Sequence, residues 1–380
     1  MSRISIDNTL QWRPLLAIIG SISAVGFSLS LTIPLVSLNL NQRGVDSSLI
    51  GVMAAMPALG ILLFSPLVPS LVNRLGARVA LLASIVVGSA SVLALPFFEH
   101  YGFWLLARTM MGAADALLFT VSETWINHIA SERTRGRLVA LYITVLSICF
   151  ALGPGLLALI GSQGNFPFLL AGGIFCCALL PLMWADAGLT LDTQAPRFSV
   201  LGFFRVAPTV SAAVLLFAFL DGSGLSMLPL FGLRYGHTEA VAALMISVMI
   251  GGNIILQLPL GWLADRVDRE HLLKACGVGF TIAAVLLPLV VTSHWLWPVL
   301  ILLGISAGGV YTLALIIVGQ RFQGVDLVTA NAAFGVIWGL GSLLGPLCAG
   351  LGMRALDPDG LPLTWAAAGI IFLLLSWRGR

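Results

Sequence analysis

Long apolar runs separated by short polar breaks fill this chain from end to end. Runs such as LLASIVVGSASVLALPFF (81–98) show no alternation of apolar and polar positions. They therefore do not resemble the strands of a membrane barrel, which alternate over about 10 residues. A helix needs about 20 apolar residues to cross a bilayer. The breaks leave twelve stretches near that length, at 14–37, 49–71, 78–98, 103–128, 138–161, 166–185, 208–230, 239–263, 271–292, 295–319, 327–350 and 361–377. The pattern predicts an all-α membrane protein of twelve transmembrane helices. Most breaks are too short for a soluble domain. The longest, 186–207, holds Asp186, Asp192, Pro196, Arg197 and Arg205 and lies midway along the chain.

Composition agrees with lipid as the solvent. Of the 380 residues 59% are hydrophobic and 9% charged, against about 25% charged in soluble domains. The five cysteines, Cys149, Cys176, Cys177, Cys276 and Cys348, all fall in apolar runs. They read as small core residues, with neither a disulfide framework nor metal-ligand spacing. The polar N-terminus followed by a long apolar run predicts an uncleaved first helix.

Charge sets the orientation. With the N-terminus inside, fifteen Lys and Arg residues fall in inner segments, and only Arg43, Arg234 and Arg354 in outer ones. The positive-inside rule then puts both termini in the cytoplasm; the membrane expected is the cytoplasmic (inner) one. This asymmetry accounts for the net charge of +3 without a nucleic-acid partner. Trp12, Trp104, Trp125, Trp184, Trp262, Trp295, Trp297, Trp365 and Trp377 fall near predicted span ends, as an interfacial belt requires. Trp338 lies mid-span.

The chain repeats itself at an offset of 192 residues. Asn73-Arg74 matches Asp265-Arg266, Leu152-Gly153-Pro154 matches Leu344-Gly345-Pro346, and Gly112 and Thr120 match Gly304 and Thr312. Two pseudo-symmetric six-helix bundles follow, 1–185 and 208–380, with 186–207 as a cytoplasmic linker. Repeats of this kind occur in secondary transporters, with the site near the midplane between halves.

Four segments carry a resemblance. GWLADRVDRE (261–270) resembles the loop motif G-x-L-A-D-R-x-G-R-R of the major facilitator superfamily. RTMMGAADA (108–116) resembles its fourth-helix motif, SERTRGR (131–137) its following cytoplasmic segment, and ICFALGPGLL (148–157) its fifth-helix Gly-Pro motif. Within the superfamily, GAADALLFTVSETWIN and RGRLVALY are similar to the YcaD-like branch. There are departures. Pro69 and Asn73 replace the glycine and aspartate of the first-half loop motif, and Asp268 replaces a glycine in the second. The resemblance implies the major facilitator fold, with helices 1, 4, 7 and 10 lining a central cavity. It also implies a gate built on Asn73, Arg74, Arg78, Asp265, Arg266 and Arg269, resting mainly on Asp265 and Arg266.

Three ionisable groups share one stripe of the fourth span, Arg108, Asp115 and Glu123, together with Gly112. A charge at the centre of a lipid-facing helix costs roughly 2.5–3.5 kcal/mol even on the lenient insertion scale. The stripe therefore faces the bundle or water. Arg108 and Asp115 are about 10.5 Å apart along the axis, and helical side chains lean N-terminally. Each is expected to meet a separate partner. Arg108 is a candidate for substrate contact or for modulating a proton site, and also for bonding backbone carbonyls. Glu123, near the cytoplasmic end, fits a gate. Asp221 on the seventh span is the other midplane acid; it either faces the cavity opposite Asp115 or bonds a locally unwound Gly222–Gly224 backbone.

Weaker cavity candidates are Ser30 (with Ser28 and Thr32), Asn253, Gln257, Tyr311 and Trp338. Each also fits polar contacts between helices or simple packing. Gly112, Gly153, Pro154, Gly345 and Pro346 are expected at close helix contacts and bends.

The leading expectation is a secondary transporter that moves a small molecule by alternating access, driven by the proton gradient, with no metal and no bound cofactor. The fifth-helix Gly-Pro motif tilts it toward efflux by antiport. Uptake by symport, facilitated diffusion and a non-transporting sensor stay open. An enzyme is not expected. His100, His128, His237, His271 and His294 all lie at or beyond span ends, and there is no phosphate-binding G-x-x-x-x-G-K-[ST] loop. The expected partners are substrate and lipid, and the expected state is a monomer.

Overall fold

The structure, a computed structural model, describes residues 12–129, 135–183, 200–264, 266–322 and 325–378. The described residues form helices with short connections. In chain order these are α1 (Trp12–Gln42), α2 (Ser47–Phe64), α3 (Val68–Leu75), α4 (Ala77–Ala94), α5 (Tyr101–Ile129), α6 (Arg135–Ile160), α7 (Phe166–Cys177), α8 (Leu179–Met183), α9 (Val200–Val206), α10 (Pro208–Arg234), α11 (Glu239–Ala264), α12 (Arg269–Val290), α13 (Leu296–Arg321), α14 (Val325–Ala355) and α15 (Gly360–Arg378). Lipid offers backbone N–H and C=O groups no partner, so spanning segments satisfy them internally as helices. Nine helices among the described residues are long and apolar enough to cross a membrane. Three shorter apolar helices, Thr144–Ile160, Phe166–Leu182 and Glu239–Ile255, fall at the predicted fifth, sixth and eighth spans.

Local chemistry explains where the elements begin, break and turn. Asp46 caps α2, accepting from the Ser48 amide at 2.9 Å. Pro208 opens α10, where its missing N–H would be unpaired in any case. The predicted second span is interrupted by a 3-10 turn at Ser65–Leu67, because Pro66 removes a backbone donor. Gly44, Gly161 and Gly236 take positive φ in the turns after α1, α6 and α10, a conformation that suits a residue without Cβ. α1 runs to Gln42, past the predicted limit, because Leu38 and Leu40 are buried and the Gln42 amide has partners.

Two sequence expectations change. Trp104 and Trp365 are 1% and 0% exposed and do not join an interfacial belt. The Trp104 indole donates to Leu95 and Phe98 carbonyls, and that of Trp365 donates to Ser223 Oγ. Trp262, Trp295 and Trp377 remain exposed, as a belt requires. Of the five cysteines, all free, only Cys276 is buried; Cys176, Cys177 and Cys348 are exposed.

The repeat reappears as packing. A Cβ on Gly112 of α5 would collide with the Pro57 carbonyl of α2, and one on Gly304 of α13 with the Met249 carbonyl of α11. Gly60 meets the Thr109 carbonyl, and Gly252 meets that of Ile301. Each residue of the second set lies 192 positions after its counterpart in the first. Small residues let helix backbones approach closely where no hydrophobic force drives them together. Gly153 packs on Ser30 of α1, and Gly345 on the Phe219 carbonyl of α10. The two halves of the chain meet chiefly through α2 against α14 and α6 against α11.

Candidate functional site

α5 carries Arg108 and Asp115 into the interior. They are 0% and 2% exposed. Arg108 Nη1 lies 3.6 Å from Met111 Sδ, a weak acceptor. Its Nε and Nη2 have no hydrogen-bond partner, nor has Asp115 Oδ1. Nε and Nη2 form one edge of the guanidinium, the edge that grips an oxyanion with two prongs. No ion pair joins Arg108 to Asp115, as their spacing predicts. The Gly112 side of their stripe presses on α2. Asp115 is buried in this conformation.

Asp221 differs. It is half-buried, halfway along α10. α10 is helical without interruption through Gly222–Gly224, so the alternative reading, in which Asp221 bonds an unwound backbone there, does not hold. Ser223 and Ser226 donate to carbonyls one turn back, Phe219 at 2.5 Å and Gly222 at 2.7 Å. One turn before Asp221, Phe217 stacks on Tyr311 of α13, with ring centroids 4.6 Å apart and planes 25° apart. Trp338 is half-buried on α14.

The remaining candidates separate. Ser30 is fully buried and donates to the Phe27 and Cys149 carbonyls, which makes it a helix-packing group rather than a cavity-lining one. Ser28 and Thr32 likewise bond carbonyls, of Ala171 and Ser28. The Asn253 amide occupies the space that Gly308 of α13 leaves by lacking a Cβ. Asp265 and the side chains of Glu123 and Gln257 lie outside the described residues.

A polar cluster that sequence reasoning missed ties the halves together at one end. Gln42 Nε2 donates to Ser162 Oγ at 2.8 Å and Glu239 Oε1 at 2.6 Å, and Ser162 donates to Glu239 Oε2 at 2.8 Å. Arg234 donates to Ser47 at 2.9 Å and pairs with Asp357. Arg354 lies 3.9 Å from Asp46. Between these groups Gly51 and Gly350 bring α2 and α14 into backbone contact. The available signal was Glu239, an acid opening an apolar stretch just beyond Arg234.

At the opposite end a cleft of about 420 Å³ lies between the 264–270 turn and α13. Arg321 pairs with Glu270 at 2.5 Å, and Arg269 Nε donates to the Ala264 carbonyl at 3.0 Å. Arg266 sits 3.7 Å over the Trp262 ring. Asp268 caps α12, accepting from the His271 amide at 2.9 Å. Asn73 and Arg74 are exposed at the end of α3, and Arg78 is half-buried at the start of α4.

Residues 16–346 match the family profile described as Major Facilitator Superfamily. The chain belongs to the major facilitator superfamily. It is similar to the MFS-type transporter YfkF of Bacillus subtilis (strain 168), 24% identical over 90% of this chain and 88% of the relative. It is also similar to the MFS-type transporter YcaD of Shigella flexneri serotype 5b (strain 8401), 22% identical over 96% of each. Among solved structures, a mutant of the nucleoside transporter NupG superposes with a TM-score of 0.79 at 13% identity, covering 96% of this chain and 99% of the other. A D-xylose-proton symporter does so with 0.77 at 17% identity, covering 97% and 98%. The protein is thus a multi-pass membrane transporter with the major facilitator fold.

Proposed function

We propose that this protein is a proton-coupled exporter of small molecules that works by alternating access. Residues 1–185 and 208–380 are the moving halves, and 186–207 joins them. The chain acts as a monomer in the cytoplasmic membrane, with both termini inside. The proton gradient drives it and no cofactor is needed.

One observation carries this reading: a guanidinium whose Nε and Nη2 lack partners and a carboxyl whose Oδ1 lacks one are buried on one helix stripe, at Arg108 and Asp115. Buried polar groups left unpaired cost free energy and mark functional positions in membrane helices. Asp115 takes up and gives up the proton as the halves move. Arg108 sets the ease of that exchange through its nearby charge. Asp221 meets the substrate from α10. The ties among Gln42, Ser162, Glu239, Arg234, Asp357, Arg354 and Asp46 hold the outer ends closed, which makes this an inward-facing state. Glu123, Asn73, Arg74, Arg78, Asp265, Arg266 and Arg269 close the inner end in the other state. Gly153-Pro154, similar to the motif of superfamily exporters, supports the outward direction.

The test uses inside-out membrane vesicles acidified by respiration. A panel of charged and neutral compounds is added and lumenal pH is followed with a fluorescent base. An exported compound alkalinises the lumen in wild-type vesicles and has no effect with Asp115→Asn. If no compound alkalinises the lumen, while one drives proton entry into whole cells, the direction is inward and the export reading falls.

A further inference from the structure

We infer that the substrate is a lipophilic organic cation carrying aromatic rings, its charge drawn to Asp221 and a ring laid against Phe217 and Tyr311. This rests on the reading of Asp221 as a substrate contact. It adds the substrate's charge and shape.

The positive charge that balances Asp221 is missing from the protein around it. Among the described residues Asp221 makes no ion pair and no hydrogen bond through its side chain. α10 packs against α1, α2, α9, α11, α13, α14 and α15. The basic residues of these helices and of α10 itself are Arg13, Arg205, Arg234, Arg321, Arg354 and Arg378. Every one is the last residue of its helix or one position from an end. Asp221 lies thirteen residues into α10, about 20 Å along the axis from its first residue. No basic residue of a packed helix shares its depth, so the partner cation comes from outside the chain. Arg108 belongs to α5, which packs mainly on α2 and α4.

The surroundings select for shape. Phe217 and Asp221 are four residues apart and share one side of α10. The Phe217 ring is already stacked on Tyr311, and both rings are only partly buried. Trp338 precedes by one turn Ser342, whose carbonyl meets Gly222. That places Trp338 near the depth of Phe217. A cation is attracted to aromatic faces as well as to a carboxylate. Sugars and other polyols need many free hydrogen-bonding groups, whereas Ser28, Ser30, Ser223 and Ser226 have committed their protons to backbone carbonyls.

The probes are tetraphenylphosphonium and tetraphenylborate, which share a body and differ in the sign of the charge. Each is titrated into the purified full-length chain in detergent, and saturable binding is measured by equilibrium dialysis. Tetraphenylphosphonium binds. Asp221→Asn weakens it by at least about tenfold, while Asp221→Glu, which keeps the charge, stays within about threefold of wild type. Tyr311→Leu weakens it by about three- to tenfold. Melting curves confirm that each variant is folded. The inference is overturned if tetraphenylphosphonium shows no saturable binding, if tetraphenylborate binds as well, or if folded Asp221→Asn binds like wild type. The vesicle assay separates this from the wider reading. A neutral or anionic compound that alkalinises the lumen in an Asp115-dependent way leaves proton-coupled export standing and removes only the cation. Tetraphenylphosphonium that binds through Asp221 yet moves no protons does the reverse.

Discussion

Helices α5 and α13 occupy matching places in the repeat and bury opposite chemistry. Both press a glycine on the carbonyl of a neighbour, Gly112 on Pro57 and Gly304 on Met249. At the positions of Arg108 and Asp115, α13 carries Leu300 and Ala307, 0% and 1% exposed. The mirror image holds for α10 and α1, where Asp221 corresponds to buried Leu29. The backbone contacts are therefore shared between the halves and the charges are not. Close approach of two helices is a demand of packing in lipid that any such bundle must meet. A buried charge answers no packing demand, so its presence in one half alone points to work done there.

The largest effect comes from erasing that difference. With Arg108→Met and Asp115→Leu together, α5 becomes as apolar as α13. Replacing buried charged groups by apolar residues of similar volume is often stabilising, by about 1–4 kcal/mol. The double variant is expected to melt above wild type in detergent and to transport nothing. Arg108→Met alone leaves the Asp115 carboxyl buried without its nearby cation and is expected to melt below the double variant. A double variant that melts below wild type would show that the two groups hold the bundle together, and the functional assignment would fail.

The second effect tests what the halves share. Gly112→Ala and Gly304→Ala both force a methyl group into a facing carbonyl, so each should destabilise by about 1–3 kcal/mol, the usual size of overpacking. Gly252→Ala, against the Ile301 carbonyl, belongs to the same class. Its neighbour Gly251 has open space at the Cβ position. Gly251→Ala should be neutral or slightly stabilising through helix propensity, worth up to about 1 kcal/mol. Thermal melts of the four variants check this. Equal losses at Gly251 and Gly252 would show that the packing described for α11 and α13 is wrong.

Much of this was legible in the sequence, and the limits have physical causes. Span positions, the 192-residue repeat and the buried placement of Arg108 and Asp115 follow from hydropathy and the cost of charge in lipid. Those are one-dimensional constraints. Ser30 fits a cavity or a helix contact equally well in sequence, because a serine hydroxyl looks the same whether it faces water or a carbonyl; here the Phe27 and Cys149 carbonyls take it. Trp104 and Trp365 sit near helix ends, as belt residues do, but whether an end is covered by a neighbour is a matter of tertiary packing. The Phe217–Tyr311 stack and the Gln42–Ser162–Glu239 cluster join residues 94 and up to 197 positions apart, which no local pattern displays.

The smallest effect compares the interior with the ties at the ends. Exposed ion pairs are weak and screened by salt, so the outer closure should loosen when their carboxylates are protonated. Asp46 is the group to follow. The Ser48 hydroxyl, followed by the Ser48 amide, holds its carboxyl below the ordinary value of 3.8, and the charges of Arg354 and Arg234 add to this. The Ser48 bonds are local to the α2 cap and stay in either state, so only the part of the depression due to Arg354 and Arg234, which reach across from the other half, favours closure above the ordinary value. That contribution is lost as pH falls through the depressed one. Spin labels at Leu49 and Leu356, both exposed beside these ties, report the separation of the outer ends. The short distance should persist from neutral pH down to about pH 4 and give way to a longer one only below it. Asp46→Asn should show part of the longer distance already at neutral pH, with little further change on acidification. A wild-type distance that lengthens between about pH 7 and 5 would remove Asp46 from the closure and assign the pH response to a different group.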